Sequence, residues 1–190
     1  MHSKTYAIMS RQSSFHMVKQ RVDISIQDPV LYPVSRSWLR KSVLATLDMA
    51  SPLASCSVSL AICDDVTIKF LNQQYRGKDE VTDVLAFSSQ HQAAWQGNAE
   101  SRQAPTQNEI FIHPPKQLPP LGEIIISYPQ MVRQAKKAKI TTDKELATLI
   151  IHGTLHLLGY DHEESEQHLL MQTKSNQVTT KLFKYDRELE

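Results

Sequence analysis

Apolar and polar residues alternate along residues 22–26, VDISI, and again along residues 56–62, CSVSLAI. A period of two sends every second side chain to the same face, so each stretch predicts a strand. Between them the period lengthens. Leu39, Val43 and Leu47 recur at helical spacing, which predicts a helix over 35–49 with Ser35 as its cap. Ile68, Leu71 and Tyr75 form a second helical stripe, which Asp64 or Asp65 can cap and Gly77 ends. The segment 75–87, YRGKDEVTDVLAF, closes in DVLAF, a further strand. LGEIIIS, residues 121–127, carries bulky aliphatic side chains without clean alternation and predicts a central strand.

The C-terminal part is helical. Residues 129–139 carry Arg133, Lys136, Lys137 and Lys139, whose charges read as a solvated face. Thr142 and Glu145 match a capping box. The helix they open, about 143–158, is apolar on nearly all sides and belongs in the core. A last helix is expected over 163–183. Strand, helix, strand, helix, strand, strand, then helices predicts an α+β fold: a small mixed four-stranded sheet covered by helices, in a single domain over 22–185.

Two stretches fall outside this pattern. Residues 88–121 are rich in Gln, Ala and Pro, with Trp95 their only tryptophan. NEIFIH at 108–113 could add a short strand, and the proline pairs 114–115 and 119–120 break the chain. The segment reads as a long loop insertion, a class of loop that is either functional or disordered. Residues 1–21 hold Lys4, Arg11, Lys19, Arg21, four serines and no acid. They are read as a disordered extension in preference to an organellar transit peptide, with Met17 an alternative start.

Composition narrows the functional classes. The chain has 190 residues, 41% hydrophobic and 22% charged, with a net charge of +1. Nothing global draws it to nucleic acid or membrane, so anion binding must come from a local patch. No apolar run of about 18 residues is present, so no transmembrane helix is expected. Cys56 and Cys63 are the only cysteines. At an odd separation on one strand they point to opposite faces and cannot pair, which fits a reducing compartment.

The chemistry gathers in residues 152–162, HGTLHLLGYDH. His152 and His156 are four apart, one turn along a helix face. Gly159 can take positive φ and end that helix, and the turn after it can return His162 toward the other two. Three converging imidazoles make a zinc site with one open coordination position, the catalytic arrangement. Zinc proteases of the metzincin type read H-E-x-x-H-x-x-G-x-x-H. All three His and the Gly are at matching offsets here, but Gly153 replaces the Glu that serves those proteases as general base. His2, His16, His91, His113 and His168 are off ligand spacing and are treated as surface residues.

With HGTLHLLGYDH at 152–162 and YRGKDEVTDVLAF at 75–87, the chain resembles the YbeY family of bacterial rRNA maturation factors, assigned as single-strand-specific endoribonucleases. LGEIIIS and the Gln134–Ala135 pair add weaker support, and the resemblance covers roughly residues 20–185. It implies Zn2+ on His152, His156 and His162. It implies that Arg76 lies in a cleft beside the metal and acts on the RNA phosphate, with Arg76 and His156 as the catalytic residues. It implies work in 16S rRNA 3′ end maturation and ribosome quality control. The partners would be rRNA and the small ribosomal subunit, in the cytoplasm, with neither membrane nor DNA.

Ala86 stands where the family usually has Ser, and Glu123 where it usually has Asp; both are expected to line the cleft or its floor. The 88–121 segment is larger than in compact members. Position alone makes Arg76 a cation at a helix C-terminus; the resemblance gives it a phosphate. Lys78 and Asp79 could pair with each other. The general base is unassigned: Asp161 could serve, or could hold an imidazole in place. A metallopeptidase and a non-catalytic assembly factor with structural zinc are the competing functions.

Overall fold

The computed structural model describes residues 19–29, 31–52, 55–89, 118–160 and 165–187. Its order is β1 (Gln20–Ile26), α1 (Arg36–Ala50), β2 (Cys56–Cys63), α2 (Asp65–Arg76), β3 (Val84–Ser88), β4 (Pro120–Ser127), α3 (Tyr128–Ala138), α4 (Thr142–Leu157) and α5 (Ser165–Arg187). The expected extension over 1–21 and insertion over 88–121 lie largely outside the described residues, as does the added strand at 108–113. The sheet has begun by Gln20, so the last two residues assigned to the extension are strand.

The sheet is four-stranded, in the order β1-β2-β4-β3. β1, β2 and β4 run parallel, and β3 lies antiparallel along the outer edge of β4. The fold is therefore α+β around a mixed sheet, as the pattern predicted.

Alternation assigns the two sheet faces. On one, Val58, Leu60, Ile62, Ile124 and Ile126 meet α1, α3 and α4 through Leu39, Val43, Leu47, Met131 and Ile150. Burying each such side chain contributes about 1.5–3 kcal/mol. On the other face, Cys63, Leu85 and Ile125 pack on Ile68 and Leu71 of α2. Cys56 and Cys63 thus belong to opposite faces, both buried. A third cluster packs Ala147, Ile151 and Leu155 of α4 against Met171, Val178 and Leu182 of α5. α4 lies between the sheet and α5, which accounts for a helix apolar nearly all the way round.

The caps follow local chemistry. Ser35 accepts from the Trp38 N–H, and Asp64 accepts from the Thr67 N–H at 2.7 Å. Ser127, the last residue of β4, caps α3 directly. The cap of α4 differs from the expected box. Thr141, not Thr142, accepts from the Lys144 N–H. α3 closes early, on Lys139 in the left-handed region (φ 57), and the Ile140 N–H bonds Ala135 O. The chain is then ready to turn one residue sooner, and Thr141 takes the extended conformation a cap needs.

Candidate active site

The histidine pair sits on the most deeply packed helix. His152 and His156 are half-buried, between the fully buried Ile151, Thr154 and Leu155. Their Nε2 atoms face each other at 3.0 Å, with the rings nearly perpendicular at 86°. Two imidazole nitrogens bound to one tetrahedral zinc at about 2.0–2.1 Å would stand roughly 3.3 Å apart. The observed 3.0 Å is close to that separation and is also a hydrogen-bonding distance, so the two Nε2 atoms are placed where they could share one cation. His162 lies outside the described residues. Among the described residues no group of three or more His, Cys, Asp or Glu could hold a metal, so the structure provides two of the three expected donors.

Packing accounts for Gly153, the residue that departs from the protease pattern. A Cβ there would stand 3.0 Å from Ile124 Cγ2, because α4 rests on β4 at this point. Position 153 faces the sheet, 100° round the helix from His152. A larger side chain there would have to displace Ile124. Past Leu157 the helix ends as expected. Gly159 has φ 86, its N–H bonds His156 O at 3.0 Å, and the Tyr160 N–H bonds Leu155 O at 3.1 Å.

Arg76 is the last residue of α2 and is exposed. Gly77 follows in the left-handed conformation (φ 68), and its N–H closes the helix on Gln73 O at 3.0 Å. The loop beyond is pinned from beneath, where Nδ2 of the buried Asn72 donates to Glu80 O at 2.9 Å. Of the pairings open to Asp79, the structure has the one with Lys69, on α2 itself, at 3.4 Å.

Side-chain contacts relate the two helix ends. The Tyr75 ring meets the Phe87 ring at 5.1 Å, edge to face. The next residue, Ser88, donates from Oγ to Leu157 O at 3.2 Å, beside His156. At the far end of the same strand, Ser127 N–H bonds Asp83 O, and Ser127 Oγ bonds Asp65 Oδ1 at the start of α2. Both helices therefore run along edge strand β3, on opposite faces, and finish at the same end of it. Arg76 and His156 are brought to one edge of the sheet. Ser88 and Gly122 were missed in the sequence. A Cβ on Gly122 (φ 151) would lie 2.2 Å from Phe87 O and 2.7 Å from Leu157 Cδ2. A glycine inside a strand is the signal of such close approach.

The two atypical positions do not share a surface. Ala86 pairs with Ile124 and joins the α4 side, whereas Glu123 pairs with Phe87 and is exposed on the α2 side. Opposite parity on paired strands makes a common floor impossible. Arg133 is engaged with Asp65 at 2.8 Å and with Gln130, leaving Lys136 and Lys137 on an exposed face.

Residues 25–183 match the family model described as Endoribonuclease YbeY. The chain belongs to the endoribonuclease YbeY family. Among YbeY relatives, the Endoribonuclease YbeY of Dehalococcoides mccartyi strain CBDB1 is 39% identical over 152 residues, covering 80% of this chain and 87% of that one. That of Roseiflexus sp. strain RS-1 is 35% identical over 147 residues, covering 77% and 82%. A Thermotoga maritima protein solved in solution shares the fold with a TM-score of 0.54 at 25% identity, over 88% of this chain and 92% of that chain. The YbeY match spans both the α2–β3 segment with Arg76 and the α4 segment with the histidines.

Proposed function

We propose that the protein is a zinc-dependent, single-strand-specific endoribonuclease that works in 16S rRNA 3′ end maturation and ribosome quality control in the cytoplasm, with rRNA on the small ribosomal subunit as its partner. Membership of an endoribonuclease family supports hydrolysis of RNA. The observation that carries the metal-assisted form is the facing Nε2 pair of His152 and His156 at the sheet edge where α2 delivers Arg76.

His152 and His156, with His162 as third donor, would hold the zinc. A zinc ion so held supplies Lewis acidity toward a phosphoryl oxygen and acidifies a water. Arg76 presents a planar fork of donors suited to two oxygens of one phosphate. Its exposure lets a polymer reach it, and the Gly77 turn with the Asn72–Glu80 bond fixes the direction from which it extends. The peptidase alternative lacks its general base, since Gly153 carries no carboxylate. No helix among the described residues is long and apolar enough to cross a membrane.

The test is incubation of zinc-loaded protein with defined single-stranded and duplex RNA, beside His156→Ala. Cleavage of the single strand alone, lost in the variant, is expected. Metal-bound protein that cuts neither RNA would move the reading to an assembly factor with structural zinc.

A further inference from the structure

The apolar stripe of α2 does not end in the core. Ile68 is fully buried, but Tyr75, two turns on, is 44% exposed. It directly precedes Arg76, so ring and guanidinium share the last turn of one helix. The Phe87 ring holds Tyr75 at 5.1 Å with 67° between planes. Phe87 is in turn fixed by its pairing with β4 and by the neighbouring Ser88–Leu157 hydrogen bond. Tyr75 thus presents a part-exposed, amphipathic aromatic surface, backed by Phe87 and adjacent in sequence to Arg76.

We propose that Tyr75 is the stacking platform for an unpaired nucleobase of the RNA whose phosphate Arg76 receives, and so determines specificity for single strands. The proposal rests on the endoribonuclease reading above. Stacking on aromatic side chains is a general source of affinity for single-stranded nucleic acid and tolerates any sequence, because every base has a π-face. In a duplex both faces of a base are already covered by its neighbours, and A-form helices are met through their backbone. A platform at this position rewards the single strand alone.

The charges on this side of the sheet favour one polarity of the bound nucleotide. Glu123 is the register partner of Phe87, exposed on the same sheet face. Its carboxylate repels a phosphodiester and accepts hydrogen bonds from base amino groups. Phosphate toward Arg76 and base toward Tyr75 is the arrangement both charges favour.

The experiment uses the full zinc-loaded chain, a short single-stranded RNA carrying 2-aminopurine and uncleavable 2′-O-methyl linkages, and its duplex. Wild type should quench 2-aminopurine on binding the single strand. Tyr75→Phe should keep the quench and the affinity. Tyr75→Leu should lose the quench and bind the single strand roughly 5- to 150-fold more weakly, with duplex binding and melting temperature little changed. Equal loss for single strand and duplex, equal loss in Tyr75→Phe, or no loss in Tyr75→Leu would overturn the platform while leaving the nuclease reading intact. Wild type that neither binds nor cuts RNA would overturn both. Photo-crosslinking of 4-thiouridine RNA to the wild type keeps the test open if Tyr75→Leu does not fold: adducts on Tyr75 support the platform, and their absence among recovered crosslinks rejects it.

Discussion

Gly153 and Ile124 touch across the α4–β4 interface so closely that there is room for a hydrogen and little more. Alanine at 153 would gain about 1 kcal/mol of helix propensity and lose about 1–3 kcal/mol to overpacking. A net loss of up to about 2 kcal/mol is expected, read as a lower urea midpoint. Gly153→Glu, which restores the protease-like motif, should destabilise far more by driving a carboxylate into the core, and should yield no peptidase activity. Denaturant melts and a peptide hydrolysis assay on both variants check this.

Zinc content should follow the histidines. About one zinc per chain is expected, lost in acid because protons compete for the same imidazole lone pairs. His156→Ala should lose most of its zinc affinity, and chelators should lower the melting temperature of wild type more than that of the variant. Elemental analysis across a pH series, beside thermal melts with and without chelator, measures both.

Arg76→Lys keeps the charge and loses the fork. If Arg76 receives phosphate, neither Lys nor Ala at this position should restore RNA cleavage, while zinc content and melting temperature stay near wild type. If Arg76 only faces the end of α2, Lys should be silent and Ala should cost at most about 1 kcal/mol with activity kept. Cleavage rates for the two variants separate these outcomes.

Glu145 lies in the first turn of α4, where burial first and the nearby Asp83 carboxylate second raise its pKa above the usual carboxylate range. A raised folded pKa favours the folded state at low pH, and that contribution is lost as pH rises through the folded value. At neutral pH the ionised Glu145 is therefore a penalty. Glu145→Gln should raise the melting temperature at pH 7, and the gain should shrink in acid. A melt series from pH 4 to pH 8 gives the sign directly.

The thiols should be silent in the folded protein. Burial, with Asp64 and Asp65 nearby, pushes Cys63 up to about 12; burial also raises Cys56. Thiolate is the reactive form. Alkylation at pH 8 should be slow for both until denaturant is added, a difference that mass spectrometry of timed samples will show.

What was legible in the sequence was what neighbours in the chain decide. Ser35, Asp64, Gly77 and Gly159 punctuate helices through side chains or φ values that act over three or four residues, and each marks a helix boundary where expected. The choice between Thr141 and Thr142 was not legible, because Lys139, a residue with no special preference for positive φ, closes α3. The strand order and the antiparallel direction of β3 depend on pairings between distant segments. So does the arrival of α2 and α4 at the same end of β3, which runs through Phe87 and Ser88. Periodicity found α4 and its histidines; it had no means of placing α2 beside them.

The edge hairpin has a consequence for engineering. Ser88 pairs with Gly122, and the Ser89 N–H bonds Leu121 O at 2.9 Å, so the chain leaves the sheet and re-enters it at touching positions. Any connector between those two points spans almost no distance. The closure entropy of a loop grows only with the logarithm of its length, so cutting it from about 30 residues to about 5 would gain on the order of 1.5 kcal/mol and leave the strand ends where they are. The same neighbouring ends are a natural place for new termini in a circular permutant, or for a reporter domain grafted at this sheet edge.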